Sequence, residues 1–176
     1  MKKNLFLIGG VMGVGKTSVC RIIKRKLDNA VFLDGDWLWD SDPFRVTKET
    51  KTMVMDNICH VLNNFLRCSE YKNIIFCWVM HEQDIIDQIL ARIDTKKCKI
   101  LKISLICDKE ILKDRLQIDI NNGIRSGDII TRSLEHLTFY NKLNTYKIDT
   151  AGKDPDKVSD EILKISSIVN EILNKC

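Results

Sequence analysis

The sequence lacks any long apolar run. No stretch approaches the ~18 consecutive apolar residues of a membrane span, although 44% of the 176 residues are hydrophobic. It also lacks a basic block, because its 28 Lys and Arg residues are spread among 24 Asp and Glu residues. A net charge of +4 distributed in this way gives little support for nucleic-acid binding. We therefore expect a cytoplasmic protein with neither nucleic acid nor membrane as a partner.

Paired cysteines are absent as well. The seven cysteines include no CxxC pair, and their number is odd, which argues against both a zinc site and a disulfide framework. Most of them fall in predicted helices or strands, where a reduced cysteine packs as a small apolar side chain. We interpret them as free thiols in a reducing compartment.

Strand-like and helix-like segments alternate along the chain, without repeats or low-complexity tracts. The predicted strands are 5–8, 30–33, 73–79, 99–107 and 146–148. The predicted helices are 17–26, 47–68, 82–93, 109–120, 133–143 and 155–174. This alternation predicts an α/β fold of three layers, a five-stranded parallel sheet with helices on both faces. The length favours a single domain over residues 1–176.

Glycine is scarce and unevenly distributed. Four of the eight glycines lie between residues 9 and 15, in the turn that joins the first strand to the first helix. Residues 10–17, GVMGVGKT, fit the pattern GxxxxGK(S/T) at every fixed position. Glycine lets backbone N–H groups approach a phosphate closely, and the helix start adds further donors. The motif predicts a nucleoside triphosphate site; a glycine-rich connection without a ligand is the alternative.

Lys16 and Thr17 complete this motif with two different groups. The Lys16 ammonium is expected to reach the β and γ phosphates, and the Thr17 hydroxyl to bind Mg²⁺. ATP and Mg²⁺ are therefore the expected cofactors. In the absence of nucleotide, we expect Lys16 to face solvent at the helix start. The predicted nucleotide-binding residues of the loop are Gly10, Gly13, Val14, Gly15, Lys16, Thr17 and Ser18.

Two acidic residues follow the second strand. Asp34 and Asp36 flank Gly35, and in an extended segment this spacing places both carboxylates on one side. Ligands of α/β sheets bind beyond the carboxyl ends of the strands, which is where the phosphate loop also lies. We predict that Asp34 supports Mg²⁺ and that Asp36 accepts a proton from an attacking hydroxyl. The alternative is a polar turn rich in Asp and Gly.

The tryptophans lie near the predicted acceptor side. Trp37 directly follows Asp36, Trp39 lies two residues further on, and Trp78 ends the third predicted strand. Planar rings at these places suit stacking on a nucleobase or another flat substrate. We take Trp37 and Trp78 as predicted acceptor-binding residues, with ordinary packing as the alternative.

Residues 5–20 and the stretch FLDGD with its following tryptophan resemble small P-loop metabolite kinases. The resemblance is especially to gluconate kinases, with shikimate kinases and nucleoside monophosphate kinases as more distant relatives. The order of elements is similar over nearly the whole chain. This resemblance implies a P-loop NTPase fold with a lid. It also implies transfer of the γ-phosphoryl group of ATP to a hydroxyl or phosphate of a metabolite, nucleoside or nucleotide.

The resemblance extends to three further segments. In LKDRLQ, residues 112–117, Arg115 matches an arginine that these kinases place over the adenine or near the phosphates. Residues 121–132 correspond to the lid, where Arg125 and Arg132 would neutralise the transferring phosphoryl group. DTAGKD, residues 149–154, is similar to the loop that contacts the adenine through backbone groups, which implies a role for Gly152. Surface charge or an ordinary turn is the alternative for each of these residues.

The sequence departs from these kinases at two places. Asp119 stands one turn after Arg115, where many relatives have a second arginine. The third strand ends in CWVMHE without a Walker B aspartate. This leaves Asp34 as the best carboxylate for Mg²⁺ and disfavours gluconate as the acceptor.

Other nucleotide-binding classes share the phosphate loop. A small GTPase should carry a guanine-reading NKxD, whereas the nearest stretch, NKLN at 141–144, lacks the aspartate. A non-catalytic nucleotide-binding regulator or a simple NTPase is the alternative that the sequence leaves open. For the kinase, we expect a small-molecule phosphoryl acceptor and a monomer or homodimer.

Overall fold

The computed structural model of the chain describes residues 2–125 and 128–174, with side chains described through residue 167. Five parallel strands form one sheet in the order β2-β3-β1-β4-β5. The strands are β1 (Lys3–Gly9), β2 (Ala30–Asp34), β3 (Asn73–Trp78), β4 (Cys98–Ile106) and β5 (Tyr146–Asp149). The helices are α1 (Lys16–Lys26), α2 (Lys48–Arg67), α3 (Gln83–Arg92), α4 (Lys109–Asn121), α5 (Ile129–Leu137) and α6 (Pro155–Asn174). The predicted five-stranded parallel sheet with helices on both faces is confirmed.

The sheet is built around β1, whose residues 5–8 are fully buried because helices cover both faces. Leu5 lies between Ile74 of β3 and Ile100 of β4. Four residues later, Gly9 lies beside Trp78 at the end of β3 and Ser104 of β4. The carboxyl ends of the inner strands therefore meet at one edge, where the phosphate loop begins.

Capping and apolar spacing explain the helices. Thr47 caps α2 by accepting a hydrogen bond from the Thr50 backbone N–H, and Val54, Ile58 and Leu62 of that helix are completely buried at intervals of four residues. Asp108 caps α4 through the Glu110 N–H at 2.8 Å, as the sequence predicts. None of the described helices combines the length and apolar character needed to cross a membrane.

The segment around the predicted lid differs from expectation. Residues 129–132 begin α5 and are not loop, and the helix predicted over 133–143 ends at Leu137 and continues as a 3-10 helix, Thr138–Lys142. Ile129, Ser133 and Leu137 form the buried stripe that starts this helix four residues early. The prediction grouped Ile129 with its polar neighbours. Lid residues 126 and 127 lie outside the described residues.

Candidate nucleotide and acceptor site

The loop over residues 10–15 joins β1 to α1 in a conformation that requires glycine. Gly13 has a φ of 81°, and a Cβ there would lie 2.7 Å from Cδ2 of Leu116, so α4 packs directly on the loop. Gly15 caps α1 with a φ of 102°. No atom lies within 4 Å of the position of a Cβ on Gly15. The start of α1 therefore faces open space, which suits a phosphate at the helix N-terminus.

Lys16 folds back onto this loop. Its side chain is only 8% exposed, and Nζ donates a hydrogen bond to the Val11 carbonyl at 3.1 Å. Burial lowers the pKa of Lys16, while the nearby carboxylates of Asp36 and Asp34 act in the opposite direction. The expectation that Lys16 faces solvent is wrong, because a loop carbonyl and two nearby carboxylates give the ammonium partners inside the cleft. A phosphate offers a stronger, charge-assisted partner at the same place.

Thr17 and Asp34 form the contact on which a metal site depends. Thr17 Oγ1 donates to Asp34 Oδ2 at 2.6 Å, and Asp34 is 4% exposed. Among the described residues, no group of three or more His, Cys, Asp and Glu side chains could hold a metal ion by itself. Mg²⁺ commonly needs only one or two protein oxygens besides phosphates and water. The hydroxyl and carboxylate therefore fit Mg²⁺, and the role of Asp34 stays a prediction.

The chain does not remain extended after Asp34, contrary to expectation. Residues Gly35–Leu38 form a 3-10 helix, which Asp34 caps by accepting the Asp36 N–H at 3.2 Å. A Cβ on Gly35 would lie 2.5 Å from Cγ of Trp78, so only glycine permits this approach of the helix to β3. The cap, rather than strand alternation, brings the two carboxylates together.

The Asp36 carboxyl has an unusual environment for an exposed residue. Its pKa is raised, first because neighbouring protein atoms displace part of its hydration and then because the Asp34 charge lies nearby. The Lys16 ammonium, a hydrogen bond from the Trp78 indole and the Arg125 charge act in the opposite direction. Asp36 thus interacts with the phosphate-loop lysine and with Trp78, and its role as a general base stays a prediction.

The two tryptophans predicted to bind the acceptor lie in different surroundings. Trp78 contacts Asp36 and covers Gly35. Trp37 is 52% exposed and packs edge-on against Phe32 of the edge strand β2, with ring centroids 5.1 Å apart. Trp78 is thus brought to the predicted base, whereas an acceptor-binding role for Trp37 has only the sequence in its favour.

Arg115 connects the two loops that would surround a nucleotide. Its guanidinium donates to the Thr150 hydroxyl at 3.0 Å and the Thr150 carbonyl at 2.8 Å, and it lies 3.5 Å from the Val14 carbonyl. Gly152 follows in a turn with a φ of 63°, beside open space. Arg115 therefore ties the loop after β5 to the phosphate loop, and Gly152 is exposed two residues after Thr150.

The two predicted lid arginines are placed differently. Arg125 pairs with Asp119 through Nε at 2.9 Å, and its charge acts on the pKa of both Lys16 and Asp36. Arg132 pairs with Asp128 at 3.4 Å on the exposed side of α5. The structure brings Arg125 towards the phosphate loop, and the catalytic roles of both arginines stay predictions.

A cluster of three rings lies beside the end of β3, and it was not predicted from the sequence. His81 stacks on His136 of α5 with ring centroids 4.5 Å apart and planes within 5°. Phe139 borders both imidazoles. Burial and the neighbouring His136 lower the pKa of His81. The only local signal was the spacing of His136 and Phe139, which share one helical face.

Acidification is expected to destabilise this cluster. Because the pKa of His81 is lowered in the folded state, the unfolded chain binds the proton more readily. The contribution of neutral His81 to the free energy of unfolding is fully present above the ordinary histidine pKa of about 6.5. It is lost as the pH falls below that value. One such group contributes a slope of at most about 1.4 kcal/mol per pH unit. Between pH 7 and 5, the free energy of unfolding measured with urea should fall less per pH unit in His81→Gln than in the parent. His60→Gln, an exposed change on α2, should not.

The phosphate loop on a parallel sheet, with its buried lysine and its threonine–aspartate contact, defines a P-loop nucleoside triphosphate-binding protein. The family model described as AAA domain matches residues 7–131. The chain belongs to this family. A comparison with curated proteins found no match.

Solved structures share the fold over nearly the whole chain. The tunicamycin resistance protein of Deinococcus radiodurans is 16% identical, with a TM-score of 0.72, covering 94% of this chain and 96% of that one. A gluconokinase from Sinorhizobium meliloti 1021 is 16% identical, with a TM-score of 0.72 and coverage of 98% and 97%. Shikimate kinase from Acinetobacter baumannii, in complex with shikimate, is 20% identical, with a TM-score of 0.61 and coverage of 94% and 93%. At these identities the likeness shows the fold.

Proposed function

We propose that this chain is an ATP-dependent kinase that transfers the γ-phosphoryl group to a hydroxyl or phosphate of a small molecule, acting as one domain. The observation that carries the proposal is the pair of carboxylates beside the phosphate loop. Asp34 is bonded to Thr17 at 2.6 Å, whereas Asp36 lies against Trp78 with a raised pKa. Binding a nucleotide alone does not call for a second, partly desolvated carboxylate. Kinases among the structural neighbours support this function.

The first task of the site is to bind and orient the triphosphate. The start of α1 faces open space at Gly15, where a phosphate would meet the helix N-terminus, and the Lys16 ammonium lies on the same loop against the Val11 carbonyl. Thr17 and Asp34 would hold Mg²⁺, which when bound neutralises charge on the β and γ phosphates. Arg115 would hold the loop that carries Gly152, the proposed adenine contact, next to the phosphate loop through its bonds to Thr150.

The second task is to align the acceptor with the γ phosphate. Asp36 accepts a hydrogen bond from the acceptor hydroxyl, orients its oxygen and takes its proton as the bond to phosphorus forms. The Trp78 indole beside Asp36 favours the ionised form of the carboxylate. Arg125 supplies positive charge for the phosphoryl oxygens as the bond to the leaving phosphate lengthens.

Closure of the lid is expected to change hydrogen exchange around the site. Amides of residues 122–125 and 128, which lie between α4 and α5, should gain protection when ATP and acceptor bind together, because a kinase must exclude water from the transferring phosphoryl group. Amides at the centre of α2, which is distant from the lid in sequence and already buried on one face, serve as the internal control. Equal protection of the lid amides with and without both ligands would count against a lid.

An acceptor screen tests the proposed function. The chain is incubated with Mg-ATP and single compounds, among them gluconate, shikimate, nucleosides and nucleoside monophosphates, and ADP release is measured. We expect one class of compounds to stimulate ADP release strongly, with no stimulation in Lys16→Ala. ADP formation at one rate whatever compound is present would instead indicate a simple NTPase. ATP binding without turnover would indicate a nucleotide-dependent regulator.

A further inference from the structure

We propose that Asp119 is a positioning residue that holds the guanidinium of Arg125 over the phosphate loop before the nucleotide arrives. The proposal rests on the proposed function, because it assigns Asp119 a part in arranging the site for a triphosphate. Asp119 is also one of the places where the sequence departs from the kinases that it resembles.

The face of α4 that carries Asp119 packs on the phosphate loop. Leu116 is the side chain that a Cβ on Gly13 would meet at 2.7 Å, and Arg115 reaches the Val14 carbonyl. Asp119 follows Leu116 by three residues and Arg115 by four, so all three share one face of the helix. The Asp119 carboxylate therefore stands one turn further along the surface that contacts the loop.

A tight turn then returns the chain to this carboxylate. After α4 ends, the Gly123 N–H bonds the Ile120 carbonyl and the Ile124 N–H bonds the Asp119 carbonyl, both at 2.9 Å. This turn brings Arg125 back to Asp119, where Arg125 Nε donates to Asp119 Oδ2 at 2.9 Å. Both side chains are about one-third exposed, at 31% and 30%. The pair is therefore only partly screened by solvent.

The geometry of the contact suits presentation of the arginine. Within the described part of the chain, the Asp119 contact uses Nε, which leaves the two terminal nitrogens of Arg125 to face another group. Those nitrogens form the fork that binds phosphate oxygens in a bidentate manner. The Arg125 charge also lowers the pKa of Lys16 and of Asp36, the two groups that would flank the γ phosphate. Asp119 thus holds one edge of the guanidinium in place, and the other edge binds the phosphate.

A double-mutant cycle tests this role through binding alone. Calorimetry measures the affinities of Mg-AMPPNP and Mg-ADP for the parent, Asp119→Asn, Arg125→Gln and the double variant; the ratio of the two affinities reports contacts to the γ phosphate. We expect Asp119→Asn to lower this ratio about two- to fivefold, the range of a partly exposed ion pair. Arg125→Gln should lower it further, and adding Asp119→Asn to Arg125→Gln should change nothing. Asp119→Glu keeps a carboxylate, so its ratio of Mg-AMPPNP to Mg-ADP affinity should stay close to that of the parent.

Asp114→Asn, an exposed change on the same helix, is the matched control and should leave the ratio unchanged. The proposal is overturned if Asp119→Asn has the same effect with and without Arg125, if it has none, or if it raises the ratio. A raised ratio would mean that Asp119 withholds the arginine from the phosphate. Should Asp119→Asn fail to fold, Arg125→Lys tests the same contact by removing Nε, and an unchanged ratio there also refutes the proposal. The experiment measures nucleotide binding and needs no acceptor. Coupling between Asp119 and Arg125 can therefore be detected even if no compound in the acceptor screen stimulates ADP release, so this result is distinguishable from failure of the kinase function.

Discussion

Lys16→Ala is expected to abolish phosphoryl transfer and to weaken Mg-ATP binding by about 10- to 100-fold, the range of hydrogen bonds to a charged group. The Lys16 ammonium lies inside the cleft, 3.1 Å from the Val11 carbonyl and within electrostatic reach of Asp34 and Asp36. The triphosphate would exchange this neutral carbonyl for a charged partner. Without the lysine, negative charge on the β and γ phosphates would face the two carboxylates with less compensation.

The Lys16→Ala chain should remain folded. Burial lowers the pKa of Lys16, which means that the folded state gives the charged form a poorer environment than water does. Removing the ammonium therefore relieves desolvation, although it leaves the Val11 carbonyl without that donor. Calorimetric titration with Mg-ATP, ADP release and thermal unfolding together measure the outcome. Lys24→Ala, an exposed change in the last turn of α1, is the control. Unchanged affinity and turnover in Lys16→Ala would refute the phosphate-loop assignment.

Asp36→Asn is expected to lower turnover by about 10²- to 10⁴-fold, the usual contribution of a general base, with ATP affinity nearly unchanged. The amide keeps the shape of the carboxylate and can still contact Trp78, but it cannot take the acceptor proton. Because the pKa of Asp36 is raised, the loss of activity on acidification should begin above the ordinary aspartate pKa of about 3.9. This acid limb should be absent from the residual activity of Asp36→Asn.

Asp34→Asn provides the contrast. The Asp34 carboxylate is buried and accepts from Thr17, so its neutralisation should raise the Mg²⁺ concentration needed for half-maximal activity. At saturating Mg²⁺, part of the turnover should return, which Mg²⁺ cannot achieve for Asp36→Asn. An exchange of these two phenotypes, or full turnover in Asp36→Asn with the true acceptor, would show that the assigned roles are wrong.

Features encoded by neighbouring residues could be predicted from the sequence. The phosphate loop is a continuous motif, and the five strands are short apolar runs between turn residues, so the parallel sheet follows from local patterns and the handedness of crossovers. The cap at Asp108 is equally local. The start of α5 was missed because Ile129 and Ile130 stand in an otherwise polar segment, and the burial of Ile129 depends on contacts made elsewhere in the chain.

Features that depend on distant residues could not be predicted. His81 and His136 are separated by 55 positions, and only the packing of α5 beside the end of β3 stacks their rings. The inward turn of Lys16 results from partners on the loop and on β2. Asp119 was read as a departure from an arginine pattern, but its contact with Arg125 depends on the turn at residues 120–124. In each case a charged or polar side chain takes its conformation from tertiary neighbours.

The fate of the γ-phosphoryl group tests the central claim most directly. The chain is given ATP labelled at the γ position, Mg²⁺ and the acceptor that stimulates ADP release, and the label is followed in the acceptor and in inorganic phosphate. Asp36→Asn is measured alongside. The kinase mechanism predicts that nearly all released label appears on the acceptor, at a rate that falls by about 10²- to 10⁴-fold in Asp36→Asn. Label that appears only as inorganic phosphate, at equal rates in both proteins, would contradict it.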